Sequence, residues 1–401
     1  MKTQRDASLP FHYRVMLMGK LSELKSVIKG EMVDDTTRGQ YEKSRRRKIL
    51  FMLISGLALI VISMAVLGIG GIMISPLQVL ETFLYKYFPG SFPPPEQAYY
   101  EVVIYGYRIP RILLGIMTGA CLAVAGASMQ GILKNPLADP FTLGLSSAAS
   151  CGAGIGIVLG PILFGSFYTT TYEFLGHSVS FQWIFMVLVA FMFGLASAMI
   201  IIMLTGKRAV SHSTLILTGV VVGYIFSAIL SYLKYISDEA ALKDLTLWLL
   251  GGMWGASWDA VVIVLPIGLI GIILMWRTAV DLNALSSGDD VAKNLGVKVS
   301  AVRKRIMILS ALVTSACMAF TGIIGFVGLM APHMVRMLIG NDNRYLIPAS
   351  AIFGALILVS CDAIARYVIR PSELPVGIIM YLVGGVFFMF LIRKMRGGYD
   401  I

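Results

Sequence analysis

Side chains able to do chemistry are scarce in this chain, and they fall into a few small groups. Arg108-Ile109-Pro110-Arg111 sets two guanidinium groups around a proline at what reads as the outer mouth of a helix. Proline pre-sets a helix start, and two such forks side by side suit the capture of carboxylates on that surface. Lipid phosphate is the blander partner for them. Asp362 and Arg366 stand four apart with the acid first, the favourable order for a pair within one helix. His333 and Arg336 follow Pro332 in an apolar run, where the histidine reads as a packing residue before a ligand. Cys121, Cys151, Cys317 and Cys361 are far apart with no neighbouring histidine, so they too read as packing residues. No G-x-x-x-x-G-K-[ST] loop is present to cradle phosphate; Gly206-Lys207-Arg208 lacks both the upstream glycine and the hydroxyl residue. The groups on offer favour ion pairing and docking. We expect no catalytic residue, no metal site and no cofactor bound by the chain itself.

The elements that must position these groups follow from composition. Of 401 residues 57% are hydrophobic and only 14% charged, against about 25% charged in an ordinary soluble domain. Mean hydropathy is +0.81. Four cysteines exclude a disulfide scaffold, and the apolar runs exclude disorder. This composition defines an all-α polytopic membrane protein. Its formal charge of +11 is then a matter of topology, with no nucleic acid implied. Ten runs are long enough for a span: 49–71, 112–133, 141–164, 181–206, 213–233, 258–276, 306–322, 323–340, 345–367 and 374–392. They must be helical, because an open strand leaves backbone groups unpaired in lipid. The pair at 306–340 needs a tight reversal near Gly322. Gly115–Gly119, Gly219–Gly223, Gly251–Gly255 and the run Gly152–Gly156 read as places where helices pack closely.

Lys and Arg set the orientation. Arg45, Arg46, Arg47 and Lys48 abut the first span, and Arg393, Lys394 and Arg396 follow the last, which puts both termini in the cytoplasm. Lys86, Arg108, Arg111, Lys234, Lys243, Arg366 and Arg370 are then the outer basic residues. The chain divides into a cytoplasmic tail (1–48), a transmembrane domain (49–396) and a short end (397–401). The first span is too long for a signal peptide. In the tail, Leu17, Leu21, Leu24 and Ile28 have the spacing of a helix lying on membrane lipid, with a mobile tail as the alternative. The interiors of the first seven spans and the last hold no Asp, Glu, Lys or Arg, so a proton relay lacks its ligands and any driving energy comes from elsewhere.

One inner loop stands out. In Leu282–Val297, Leu282 and Leu285 precede Gly288, while Val291, Ala292 and Leu295 follow it and Gly296 ends the stretch. The pattern predicts two short amphipathic helices broken at Gly288, with Asp289 and Asp290 at the favoured acidic start of the second. Such a knob suits a docking partner. A second polar stretch runs from Gly325-Phe326-Val327-Gly328 through Pro332 to Asn341-Asp342-Asn343-Arg344, where Pro332 is expected to interrupt a short span.

These stretches, with Gly126-Ala127-Ser128-Met129-Gln130-Gly131, Lys134-Asn135-Pro136-Leu137-Ala138-Asp139-Pro140 and Glu373-Leu374-Pro375-Val376-Gly377, resemble the FecCD-type permeases. Those are membrane subunits of ABC importers for iron–siderophore complexes, haem and cobalamin. The resemblance runs from about residue 50 to 396. It implies a type II importer permease with ten spans per subunit, working as a pair of like or unlike copies in the cell membrane. It implies separate ATPase subunits, which use ATP, docked on Leu285, Ser287, Gly288, Asp289, Asp290, Ala292, Leu295 and Gly296. It implies an extracytoplasmic substrate-binding protein whose acids enter a pocket of Arg108, Arg111 and Arg366, although Asp362 competes for Arg366. The segment 238–255 resembles the family's short outer helix. Two departures are Gly384-Gly385-Val386 in place of a Gly-Ala-Pro turn, and Ser147-Ala148-Ala149-Ser150 in place of Ser-Gly-Ala-Ser. An ion-coupled carrier, or a relative for another substrate such as molybdate, is the alternative reading.

Overall fold

The computed structural model describes residues 35–88, 90–174, 177–205 and 212–396. The Leu17–Ile28 pattern, Gly206-Lys207-Arg208 and residues 397–401 lie outside the described residues. Fourteen helices follow one another: α1 (Asp35–Val66), α2 (Pro76–Tyr87), α3 (Tyr99–Leu133), α4 (Leu145–Thr169), α5 (Phe181–Thr205), α6 (His212–Ile236), α7 (Glu239–Leu250), α8 (Trp258–Arg277), α9 (Ala279–Ser286), α10 (Asp289–Asn294), α11 (Val299–Thr321), α12 (Val327–Ile339), α13 (Asn343–Val368) and α14 (Val376–Arg396). A short antiparallel hairpin, β1 (Thr171–Phe174) and β2 (His177–Ser180), joins α4 to α5. The chain divides at Phe51, within α1, and the sites below all lie in the unit from Met52 onward.

Among the described residues nine helices are long and apolar enough to cross a membrane. The tenth, α12, has 13 residues, about 20 Å of helix against a hydrocarbon core of about 30 Å. It starts inside the bundle after the irregular stretch Gly322–Phe326, where Gly322 adopts φ +66° and turns the chain back. The expected reversal is therefore present, and the eighth span is shorter than 323–340.

The bundle is organised around α3. Small residues on its faces, Gly119, Ala123 and Gly126 among them, let neighbouring helices come close, and α8, α11, α12 and α13 all pack directly on it. The closest approach is to α12: a Cβ on Gly126 would stand 1.9 Å from the carbonyl oxygen of Gly328. Pro332 does not interrupt α12, contrary to expectation. Lacking an N–H, it leaves the Gly328 carbonyl without its helical donor, and the Gln130 side chain on α3 donates to that oxygen at 3.4 Å. One motif on α3 thus opens the space and fills the vacant hydrogen bond. On α14, Gly384 makes room for the Phe326 ring, and the helix runs unbroken through the Gly-Gly-Val departure.

Candidate functional sites at the two ends of the bundle

Arg108 and Arg111 do not flank a helix start. The helix begins nine residues before Arg108, at Tyr99, and passes through a π turn over Val102–Arg108. A wider turn ahead of Pro110 accommodates the ring and the missing donor. The two arginines consequently point into the fold and are not held out on a surface. Arg108 is 5% exposed and donates both terminal nitrogens to the carbonyls of Leu67 and Ile72, in the turn after α1. Arg366 on α13 is 2% exposed and donates to the Ile69 carbonyl of the same turn at 2.7 Å. Arg111 grips Asp362 with two nitrogens, Nη2 to Oδ1 at 2.8 Å and Nε to Oδ2 at 3.1 Å, and its Nη1 lies 2.5 Å from Glu373 Oε2. Asp362 Oδ2 also stands 3.1 Å from Arg366 Nε. The anionic partners that clustered arginines need come from this same chain.

The arrangement joins four segments: the 67–72 turn, α3, α13 and the loop before α14. Three cations face two acids, and Glu373 is the more exposed of those acids. In the sequence Glu373 stands out only as part of the Glu373–Gly377 motif. A signal was there: between Asp342 and Arg396, Asp362 and Glu373 are the only acids.

At the other end of α3 sits the knob. Helices α9 and α10 break at Gly288 as expected, with φ +124°, and Gly296 at φ +84° turns the chain toward α11. Leu282, Leu285 and Ala292 are fully buried. Leu282 lies over Gly131 so closely that a Cβ there would come within 2.9 Å. Val291 and Leu295 are 46% and 68% exposed. Ser287, Asp290 and Gly296 are exposed beside them. Asp289 anchors the knob to both neighbours, at 2.9 Å from Lys134 Nζ just past α3 and 2.8 Å from Arg303 Nη2 on α11. Burial works against its carboxylate, but Lys134 and Arg303 outweigh burial and hold its pKa below the ordinary value. A second tie involves Asn283, which donates to Asp342 Oδ1 at 2.8 Å and accepts from the Asn343 backbone at 2.9 Å. Arg344, opposed by partial burial and helped by Asn283, pulls the Asp342 carboxyl down to about 2.

His333 packs beside the Phe387 ring, 6.0 Å between centroids, and shares no hydrogen bond or ion pair with Asp362. Among the described residues no group of three His, Cys, Asp or Glu could hold a metal, and all four cysteines are buried and unpaired. The glycine pairs pack closely as read: Gly119 faces the Gly354 carbonyl, Gly219 that of Thr142 and Gly255 that of Phe320. The predicted short helix after the fifth span is α7, capped by the Asp238 side chain. Its end is wedged against the reversal, where Cβ atoms on Gly251 and Gly322 would stand 2.0 and 2.1 Å from the carbonyls of Ile323 and Trp248.

A many-span bundle with one short helix after a reversal and a packed two-helix knob is the fold of an ABC transporter permease. The chain belongs to the FecCD transport family, whose pattern it matches over residues 57–394. It is 39% identical over 339 residues to an uncharacterized ABC transporter permease protein, YvrB, of Bacillus subtilis, covering 83% of this chain and 91% of that one. It is 38% identical to the hemin transport system permease protein HmuU of Yersinia pestis, over 72% of this chain and 82% of that one. A solved structure described as an inward-facing conformation of a metal-chelate type ABC transporter superposes with a TM-score of 0.72 at 28% identity, covering 86% of this chain and 98% of that one.

Proposed function

We propose that this chain is the transmembrane subunit of an ABC importer that carries a metal chelate (an iron–siderophore complex, haem or cobalamin) into the cell, driven by ATPase subunits on separate chains. The observation that carries the reading is the knob at 282–297. It is fastened to the central helix through Lys134 and Asp289 while Val291 and Leu295 stay exposed on its outer side. A partner gripping that apolar patch moves α3, and every helix packed on α3, directly. Nucleotide-driven closure of the partner then shifts the population of the paired bundles between two arrangements.

In this reading both termini and the knob face the cytoplasm, and the arginine cluster faces outward. Two copies form the path, and an acidic substrate-binding protein docks at the cluster. Arg111 beside Glu373 is the group an incoming carboxylate reaches, while Arg108 and Arg366, holding backbone carbonyls, shape the pocket around it. In protein that still folds, checked by thermal unfolding in detergent, charge reversal of Arg111 weakens docking at low salt, and rising salt masks the loss; unchanged affinity at low salt removes this role.

Reconstitution tests the whole. ATP hydrolysis and uptake require an added nucleotide-binding protein, and deletion of 282–297 abolishes uptake while the bundle still inserts. Hydrolysis by the purified chain alone contradicts the reading. Uptake that stops when the ion gradient is collapsed at constant ATP turns the assignment to a secondary carrier. Binding of a panel of chelates and oxyanions to the substrate-binding protein identifies the cargo.

A further inference from the structure

A groove of about 850 Å³ opens on the side of the bundle between α5, α8 and α11, with the hairpin across its mouth. It belongs to the arginine-cluster end, because Trp258 at the start of α8 donates its indole N–H to the Tyr105 carbonyl on α3 at 2.8 Å. From Trp183 to Phe191 on α5, and from Asp259 to Ile267 on α8, the lining descends about 12 Å at 1.5 Å per residue. Half a hydrocarbon core is about 15 Å deep. The walls are apolar over that depth, and the amphipathic rings Trp183, Trp258 and Tyr172 mark the level of a membrane interface.

Two charges line this groove, Glu173 and Asp259, and both are acids. Neither side chain takes part in a hydrogen bond or ion pair among the described residues. Asp259 has a local reason to be there, since an acid in the first turn of α8 complements the helix dipole. Glu173, on the hairpin, has none. A site that is apolar to the depth of one leaflet and negative at its mouth is complementary to an amphiphile with a cationic head. It repels anionic lipids and leaves unpaired acids facing an uncharged one.

We propose that this groove binds an aminophospholipid from the leaflet at the arginine-cluster end, with an acyl chain along α5, α8 and α11 and the headgroup ammonium between Glu173 and Asp259. The site is independent of the transport reading and holds whatever the cargo is.

Tryptophan quenching tests it. The full chain is reconstituted in phosphatidylglycerol vesicles doped with chain-brominated phosphatidylethanolamine, its N-acetylated form, or brominated phosphatidylglycerol. Trp183→Phe and Trp258→Phe variants assign the signal. At equal mole fraction the ethanolamine lipid quenches these two indoles roughly fivefold more effectively, the factor supplied by about one interfacial ion contact. The Glu173→Gln/Asp259→Asn variant loses the preference while quenching by all three lipids persists. If that variant fails to fold, the comparison of free and N-acetylated amine on the wild-type chain still decides. Equal quenching by the three lipids overturns the proposal. So does an absence of quenching by any of them, which shows the groove covered by a second copy or another protein.

Discussion

At the scale of single residues, Arg111 is the hub of the arginine cluster. It satisfies Asp362 and Glu373 together, so its removal strands two acids where Arg366 reaches only one of them. Arg111→Ala should destabilise the protein by about 3–5 kcal/mol, the usual cost of leaving a buried charge unpaired. Arg111→Lys should fall between, because an ammonium cannot reproduce the two-pronged grip; thermal unfolding in detergent ranks the three. Asp139 makes a different case. It is buried at the start of a short turn, where it caps the Thr142 N–H, and burial pushes its carboxyl up to about 6 despite that bond. Between about pH 4 and 6 the folded protein therefore holds more protons than the unfolded chain, and stability falls as pH rises through that window. Asp139→Asn keeps an acceptor without the charge. It should be more stable than wild type by about 2 kcal/mol at pH 7, with the gap closing near pH 4.

At the scale of elements, two helix contacts separate packing from docking. Gly126→Ala places a methyl against the Gly328 carbonyl, backbone to backbone, so α3 and α12 must part and the Gln130 hydrogen bond is lost. Protease protection of α12 should fall sharply in that variant. Gly385→Ala, which meets nothing within 4 Å, should leave it unchanged. In the knob, Leu282→Ala removes a buried side chain and should cost about 2–4 kcal/mol. Leu295→Asp changes an exposed one. It should leave the unfolding temperature alone while abolishing stimulation of the partner ATPase, measured in the reconstituted complex; full stimulation would move the contact elsewhere on the knob. The knob's two helices and their break were legible because Gly288 and the leucine spacing are local signals. Its ties to Lys134 and Arg303 were not, because those partners are far away in the chain.

At the scale of the whole molecule, the hydropathy of the chain determined that it is a bundle of membrane-spanning helices, since apolar runs in lipid have no other way to satisfy their backbones. The ordered motifs likewise pointed to the family. What the tertiary structure decided is where scarce charge goes. From spacing alone, Arg108 and Arg111 read as a surface pair awaiting an outside anion. Folding brings Asp362 and Glu373 to Arg111 across some 250 residues of chain and backbone carbonyls to Arg108, and in a low-dielectric interior a nearby carboxylate outcompetes exposure to water. Pro332 teaches the same lesson. Its local rule says that the helix breaks, yet a glutamine two hundred residues away supplies the missing donor. Periodicity and hydropathy are properties of neighbours along the chain. Pairing of buried polar groups is a property of neighbours in space.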